Sequence, residues 1–449
     1  MKENHLNDIL LPDYSLRCHK SSVTASTFIE WPARSNIPIL ITGDSSGLIV
    51  LWDLLIRRPL VTHTLPWGAQ VVAVQDLGNR LIAVLSKDHK LRLFEMRAKE
   101  LNSLVESSTS FEATQQQLHQ IYEVPVNTLN FANFLVQKLN KGYYRLICTN
   151  TQDSEAIDVY QFHLSNIHSL RRVFKGVTFG GIIQKLQTDP ESVKAKKLGI
   201  VMRFLEHQGT IYCGFESGLV VGFKIYESNS EGTNIDEDTD SSHDMCIEIV
   251  YVSSVHYPEP VLALELNDAT GEILTSSTKN VIGVHPIISS QETIGCCQSN
   301  FLQDKDSSVL IRRDLKICST NFKEVPASSI GHLTVVDGNI VASAWTGITY
   351  VLSRDYRVLA MMSKSGSNVL VSDSSQGSLQ GAGEEKTQKR HIKVSSLTGI
   401  SSALIQRFSS VDHQLTRWQG QDRRMRAFAA KSWCIIGYDD GSIAVHQIQ

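Results

Sequence analysis

The sequence contains few cysteines, and none of them is spaced for a metal site or a disulfide framework. The chain has 449 residues but only eight cysteines, with no CxxC pair among them. A zinc site or a disulfide scaffold would need such pairs or a much higher cysteine density. Cys296 and Cys297 are adjacent, and because adjacent cysteines make strained disulfides, we expect two ordinary thiols there.

Long hydrophobic runs are missing as well. No stretch approaches the roughly 18 consecutive apolar residues of a membrane-spanning helix, and residues 1–8 lack the apolar core of a signal peptide. The sequence has no Asn-x-Ser/Thr glycosylation site, and its net charge of −3 offers no general attraction to nucleic acids or anionic membranes. These absences predict a protein of the nucleus or cytoplasm that contacts neither nucleic acid nor a membrane directly.

Signatures of catalysis and of cofactor binding are absent, with one exception. No GxGxxG, GxxxxGKS/T or HExxH motif occurs, and the histidines form no cluster at metal-ligand spacing. The exception is a GxSxG string at residues 43–47. Its serine would need a strand-to-helix turn to act as a nucleophile, whereas this turn leads into a second strand. We therefore predict no catalytic, cofactor or metal site.

What the sequence does contain is a repeated β-hairpin. Residues 39–42 are apolar, a glycine-bearing turn follows, and a second apolar segment ends in Trp52-Asp53. Weaker copies of this unit recur, which is typical of a β-propeller. The hairpins lie near residues 24–54, 71–96, 126–162, 199–225, 261–284, 333–352 and 425–448. We predict one all-β domain over 14–449 with seven blades, and counts of six or eight stay open because two units are irregular.

Closure of the ring is predicted from the two ends of this domain. An open ring would leave an unpaired strand edge on its first and last blades. The seventh unit ends after its third strand, while Tyr14-Ser15-Leu16-Arg17 forms an extended segment before the first blade. We therefore expect this N-terminal strand to become the outer strand of the last blade.

Five polar inserts separate the hairpins, and we predict long disordered loops for most of their length. Part of each insert must still supply the fourth strand of a blade, and the candidates are residues 171–174 and 309–311. Residues 100–120 form either a loop or a short helix. We expect the acidic run 236–240 to be either a solvated loop or a docking site for a basic partner. For the basic runs 194–197 and 386–393 the alternatives are ordinary loops, nuclear-import signals or contacts to phosphate groups. The inserts are 97–122, 163–197, 228–244, 286–325 and 362–424.

The first hairpin resembles the first blade of the WD40 family. The matching segments are residues 16–24, 41–47 and 51–54. In such a blade a His, a Ser or Thr and a Trp are joined by hydrogen bonds, and the resemblance implies these roles for His19, Thr42 and Trp52, followed by Asp53 of the Trp-Asp pair. The family's orienting Asp, six residues before the Trp, is replaced by Ser46, and Asp44 stands two residues earlier. The network implied is structural, because buried polar groups must be paired.

The closing segment 435–443, the irregular later blades and the overall length resemble one branch of the WD40 family. This branch comprises the fungal ASTRA-associated WD40 subunits, which are related to the animal G-protein-β-like protein 1. The resemblance implies a nuclear subunit of a complex that contains phosphatidylinositol-3-kinase-related kinases, their co-chaperones and RuvB-like AAA+ ATPases, linked to chromatin remodelling.

Two classes of function follow from these observations. The first is a noncatalytic scaffold, monomeric within a hetero-complex, with Trp67 and Trp345 as candidate partner contacts because large aromatic side chains anchor interfaces. The second is a reader of modified peptides such as histone tails, which needs an aromatic cage or an arginine cluster at the channel mouth. A G-protein-β-like signalling subunit is disfavoured, since only thirteen residues precede the first strand.

Overall fold

Seven sheets arranged as the blades of a β-propeller make up the fold, as predicted. The computed structural model describes residues 9–29, 39–78, 80–96, 118–186, 197–227, 245–288, 301–303, 308–364, 392–409 and 419–448. Within each blade the first three strands are antiparallel neighbours and follow one another in sequence, so that they form a meander.

The strands are short, as the repeated hairpins predict. The first three blades and the two N-terminal strands comprise β1 (Ile9–Leu10), β2 (Tyr14–Arg17), β3 (Val23–Ile29), β4 (Ile39–Asp44), β5 (Leu48–Asp53), β6 (Arg58–Thr64), β7 (Val71–Gly78), β8 (Leu81–Ser86), β9 (Lys90–Glu95), β10 (His119–Pro125), β11 (Leu135–Lys138), β12 (Tyr143–Thr149), β13 (Ile157–His163) and β14 (Asn166–Val177). The remaining blades comprise β15 (Val201–His207), β16 (Thr210–Phe215), β17 (Val220–Glu227), β18 (Met245–Ser253), β19 (Ala263–Asn267), β20 (Glu272–Ser276), β21 (Val281–Pro286), β22 (Phe301–Gln303), β23 (Val309–Arg312), β24 (Phe322–Glu324), β25 (Ile330–Val336), β26 (Asn339–Ala344), β27 (Thr349–Leu352), β28 (Val358–Met362), β29 (Val394–Ile400), β30 (Ser432–Tyr438) and β31 (Ser442–Ile448).

Helices are few in the part of the chain that the structure describes. They are α1 (Gly180–Gln184), α2 (Ser402–Ser409) and α3 (Gln419–Ala429), with single 3-10 turns at Pro66–Gly68 and Asn140–Gly142. None of these helices is long and apolar enough to cross a membrane.

The core lies between neighbouring blades, where apolar side chains of adjacent sheets pack face to face. The second strands β4, β8 and β16 are buried along their whole length. Two glycines in these strands let the next blade approach closely. A Cβ on Gly43 would lie 2.5 Å from Cγ1 of Val71, and one on Gly214 would lie 2.6 Å from Cγ1 of Val261. A larger residue at either position would force adjacent blades apart.

The ring is closed by the N-terminal strand, as predicted. Strand β2 runs antiparallel to β31, with Tyr14 opposite Val445 and Arg17 opposite Ser442, and so forms the outer strand of the seventh blade. A second N-terminal strand was not predicted: β1 pairs in parallel with β28 at the outer edge of the sixth blade. The N-terminal segment therefore joins two blades.

The structure corrects the first strands of two hairpins. Residues 126–131, predicted as the first strand of the third blade, form a loop, and that strand is β11 instead. The loop is held by side chains, since Asn127 accepts a hydrogen bond from the Leu129 amide at 2.9 Å. Residues 425–430, predicted to begin the seventh blade, lie largely in α3, and the first strand there is β29, inside the insert predicted at 362–424.

Several inserts contribute strands, as predicted from the need of each blade for a fourth strand. Residues 171–174 lie in β14, the outer strand of the third blade. Residues 309–311 lie in β23, which does not complete the fifth blade but extends the fourth by pairing in parallel with β18. The fifth blade is completed by β24, and β10 begins inside the insert 97–122. Most of the 100–120 segment, the acidic run 236–240, the basic runs 194–196 and 386–391, and the pair Cys296-Cys297 lie outside the described residues.

Candidate functional site

The first blade contains a buried chain of polar side chains. The Nε2 atom of His19 lies 2.7 Å from Oγ1 of Thr42, and Trp52 donates from Nε1 to the same oxygen at 2.8 Å. All three residues are buried. This network joins the loop before the first strand to the second and third strands, and it therefore fixes the shape of the blade.

Asp44 completes this network, a role that the sequence left unassigned. Its Oδ2 atom lies 2.8 Å from Nδ1 of His19, and its Oδ1 accepts hydrogen bonds from the amides of Ser46 and Leu48. Burial raises the pKa of Asp44, but the hydrogen bonds from His19, Ser46 and Leu48 outweigh it and lower the pKa below its usual value. Asp53 lies outside the network, where its Oδ1 accepts from the Leu55 amide in the next turn.

The fifth blade holds a second network that the sequence reasoning missed. Thr275 Oγ1 lies 2.7 Å from Nε2 of both His256 and His285, and Nδ1 of His285 lies 2.9 Å from the hydroxyl of Tyr251. The spacing between Thr275 and His285 is ten residues, the same as between the Thr and Trp of the first blade. A histidine thus replaces the tryptophan. The shared spacing of ten residues is the sequence pattern from which this second network could have been predicted.

The buried histidines of this second network predict a pH-dependent stability. Burial lowers the pKa of His256 from 6.5 to about 4 and that of His285 to about 3. The unfolded chain therefore gains protons below pH 6.5 before the folded chain does, so stability present above that pH is lost as pH falls toward 4. We expect the free energy of unfolding to drop by on the order of 4 kcal/mol between pH 7.5 and pH 5, about 2 kcal/mol for each histidine, measured by denaturant titration at each pH. The variant His285→Phe should show a smaller drop, whereas the exposed His119→Phe should not. Equal stability at both pH values would contradict the prediction.

The central channel of the propeller contains a cavity of about 230 Å³. Its wall is formed by the first strands of six blades and by Asn133, which lies two residues before the first strand of the third blade. Small side chains such as Ala25, Ala73 and Ala263 face it and leave it open. We call this space the channel cavity.

Arg203 supplies positive charge to the channel cavity. Its Nε donates to the carbonyl of Leu262 at 2.9 Å, and its Nη1 donates to the carbonyl of Phe131 at 2.8 Å. Burial lowers the pKa of Arg203, which an arginine tolerates without losing its charge. Among the described residues no carboxylate forms an ion pair with it.

Other polar residues lie in or near the wall of the channel cavity. The hydroxyls of Ser26 and Ser396 are buried and have no hydrogen-bond partner among the described residues. Burial and the nearby Arg203 lower the pKa of His332 to about 4, so this side chain is neutral at pH 7. The carboxyl of Glu265, on the same strand as Ala263, accepts a hydrogen bond from Thr334, and burial raises its pKa to about 8. It is thus mostly protonated at pH 7 and adds little negative charge.

One face of the propeller exposes large apolar side chains around the channel. This face, which we call the channel face, carries the loops that enter each first strand and the turns between second and third strands, because these connections lie at the same end of an antiparallel blade. Trp67 lies in the loop before β7 and is 98% exposed, and Trp345 lies in the turn after β26 and is 54% exposed. Leu129 and Phe131, in the loop before β11, are also exposed.

Phe131 and Trp345 are held close to the channel cavity by specific contacts. Lys87 donates to the carbonyls of Thr128 and Asn130 and lies 5.5 Å from the centre of the Phe131 ring. The indole of Trp345 packs over Gly331, a residue of the cavity wall, where a Cβ would meet its Nε1 at 2.9 Å. Leu129 and Phe131 were missed by the sequence reasoning because their segment alternates like a strand.

No group of three or more His, Cys, Asp or Glu side chains suited to a metal ion occurs in the described ranges. Ser45 of the GxSxG string lies in the turn between β4 and β5, with a strand on each side. The polar clusters of the first and fifth blades are internal, whereas the channel face exposes large apolar side chains.

Solved structures similar to this chain include two proteins of low sequence identity. Saccharomyces cerevisiae Sqt1 aligns over 99% of this chain and 100% of its own, with a TM-score of 0.49 and 11% identity. Chaetomium thermophilum Raptor aligns over 97% of this chain and 30% of its own, with a TM-score of 0.48 and 11% identity.

Relatives of higher identity are similar over nearly their full length. ASTRA-associated protein 1 of Zygosaccharomyces rouxii is 43% identical over 444 residues, covering 99% of this chain and 100% of the relative. The protein of the same name in Saccharomyces cerevisiae strain JAY291 is 34% identical over 456 residues, covering 98% and 97%. The family model described as ASTRA-associated protein 1 matches residues 12–446. The chain belongs to the ASTRA-associated protein 1 family.

Proposed function

We propose that this protein is a noncatalytic, protein-binding subunit of an ASTRA-like complex. The observation that carries the proposal is the family match over residues 12–446, which spans all seven blades. The channel face supports it, because it exposes four large apolar side chains, and exposed apolar surface is a feature of protein-binding sites. The fold alone would not distinguish this role from others.

The proposed partners are those that the resemblance of the sequence implies. They are a phosphatidylinositol-3-kinase-related protein, its co-chaperone subunits and RuvB-like AAA+ ATPases. We propose that the protein joins them as a single copy in the nucleus, and that its link to chromatin remodelling passes through this complex.

A catalytic role is disfavoured by the arrangement of the polar side chains. His19 is engaged on both ring nitrogens, by Asp44 and Thr42, inside the blade. Ser45 lies between two strands, where it lacks the strand-to-helix turn of a hydrolase nucleophile. A reader of methylated lysine is also disfavoured, since the positive charge of Arg203 in the cavity wall would repel such a cation.

Immunoprecipitation of the protein from its own cells tests this function. We expect proteins of the three proposed classes to be recovered together, as identified by mass spectrometry. Recovery of the protein as a lone monomer would contradict the proposal.

The channel face is tested with a double variant, Trp67→Ala with Trp345→Ala. Loss of two large contact side chains should reduce partner recovery about tenfold or more, because aromatic anchors contribute about 2 kcal/mol or more each at interfaces. The matched control is Ile56→Ala with Leu359→Ala. Ile56 is 47% exposed in the turn between the third and fourth strands of the first blade, and Leu359 is 54% exposed in β28 of the sixth blade. Equal recovery with both double variants would place the contact elsewhere.

A further inference from the structure

We propose that the channel cavity binds the carboxylate of a glutamate or aspartate in an extended segment of a partner protein. The inference rests on the proposed function, since it names the kind of segment that the channel face would receive. It is argued from the charge of Arg203, the unused hydrogen-bond donors around it and the apolar side chains at the rim.

The first argument is the charge of Arg203. A guanidinium offers five N–H donors, and the two carbonyls at 2.9 and 2.8 Å use two of them. Carbonyl oxygens satisfy donors but leave the positive charge in place, and a partly buried charge is costly without a counter-charge. An anion that enters the channel cavity would supply it.

The second argument is the pair of unused hydroxyls. Ser26 comes from the first blade and Ser396 from the seventh, and both residues belong to the wall of the channel cavity. Their hydroxyl oxygens are covered by protein and have no hydrogen-bond partner among the described residues. Buried hydroxyls are normally hydrogen-bonded, and a change of serine rotamer toward the cavity would let each hydroxyl donate to an acceptor bound there. A carboxylate has two oxygens that accept hydrogen bonds and no donor, which complements these groups.

The third argument decides between a carboxylate and a phosphate. The cavity wall provides one full positive charge, because His332 is neutral at pH 7. A carboxylate carries one negative charge and is matched by Arg203, whereas a phosphorylated side chain carries about −1.5 to −2 and would stay partly uncompensated. At about 230 Å³ the cavity also exceeds the roughly 30 Å³ share of a single water, so a short side chain can enter it.

The rim of the cavity determines what would flank this carboxylate. The Phe131 carbonyl binds Arg203, and the Trp345 ring covers Gly331 of the wall, so both exposed aromatic residues border the entrance. Their rings favour apolar neighbours on the incoming segment. The expected segment is therefore an acidic residue between apolar ones.

The test uses three fluorescein-labelled peptides in which one residue is flanked by a leucine and a phenylalanine. This central residue is glutamate, glutamine or phosphoserine, and the peptides are otherwise identical. Fluorescence polarisation with the full-length protein measures their affinities. We expect the glutamate peptide to bind at least tenfold more tightly than the glutamine peptide, a difference of about 1.4 kcal/mol. Equal affinities for these two, or tighter binding of the phosphoserine peptide, would overturn the proposal.

The variant Arg203→Gln should remove the preference for glutamate, while Arg357→Gln, an exposed arginine at the opposite end of the sixth blade, should keep it. Because Arg203→Gln also loses two hydrogen bonds to carbonyls, Ser26→Ala with Ser396→Ala provides a second test that removes no bond present in the structure. We expect this pair to weaken glutamate binding several-fold at unchanged melting temperature. Unaltered preference in both variants would refute the assignment.

The two proposals fail in different ways. If Arg203→Gln still recovers the partner complex while the Trp67 and Trp345 variant does not, the carboxylate assignment is wrong and the scaffold function stands. If the glutamate preference depends on Arg203 but no complex is recovered from cells, the assignment holds and the proposed function is wrong.

Discussion

Replacement of Leu16 by aspartate is expected to unfold the propeller or to lower its stability by several kcal/mol. Leu16 is 1% exposed and packs in an apolar cluster that spans the seventh and first blades, with Trp52 and Val445 among its members. A carboxylate in this place has no partner and loses its hydration, which costs several kcal/mol. The milder Leu16→Ala should cost about 2–5 kcal/mol through the cavity that it leaves.

Chemical denaturation of both Leu16 variants measures this effect, with Ser15→Asp as the matched control. Ser15 is adjacent on β2 but exposed, because successive side chains of a strand point to opposite faces. The control should therefore stay within about 0.5 kcal/mol of the natural protein. If Leu16→Asp and Ser15→Asp had the same unfolding midpoint, β2 would not be part of the closed ring.

Asp44→Ala is expected to have the second largest effect, a loss of about 3 kcal/mol at pH 7. The substitution removes the partner of His19 Nδ1 and of the Ser46 and Leu48 amides, and it leaves these buried or partly buried donors unpaired. Each buried donor left unpaired costs about 1–3 kcal/mol, so the loss of three such bonds accounts for about 3 kcal/mol.

The effect of Asp44→Ala on stability should become smaller in acid. The pKa of Asp44 is lower in the folded protein than its unfolded value of 3.8, so its contribution is complete above that pH and is lost as pH falls through the folded value. Urea titrations at pH 7 and pH 3 should show a smaller difference from the natural protein at pH 3 than at pH 7. The control Asp53→Ala removes a turn contact outside the network and should cost about 1 kcal/mol. A larger loss for Asp53→Ala than for Asp44→Ala would refute the role given to Asp44.

The architecture of the protein was accessible from sequence because each blade repeats the same alternation of apolar residues. Strands β4 and β5 were predicted from one hairpin, and β2 was predicted from the need to close the ring. Two first strands were predicted wrongly because an alternation of apolar residues also occurs in loops and helices. Residues 126–131 alternate but are held as a loop by Asn127, and Met425, Phe428 and Ala429 are buried at helical spacing on α3.

The candidate site was only partly accessible from sequence, because its residues come together through the ring. Trp67 and Trp345 were identified as large aromatic side chains and are indeed exposed. Arg203 and Ser396 were not identified, since each lies at an unremarkable position on the first strand of its own blade. Their common cavity exists only when the blades surround the channel.

The pairing of β2 with β31 also determines when the protein can finish folding during its synthesis. Asp13 accepts a hydrogen bond from the Gln447 amide across 434 residues of sequence. At translation rates of about 5–20 residues per second, β2 leaves the ribosome on the order of half a minute before its partner exists. Throughout that interval β2 is an open strand edge, able to pair with other nascent chains. The propeller therefore closes in one late step, and the N-terminal segment must be kept from aggregating until that step occurs.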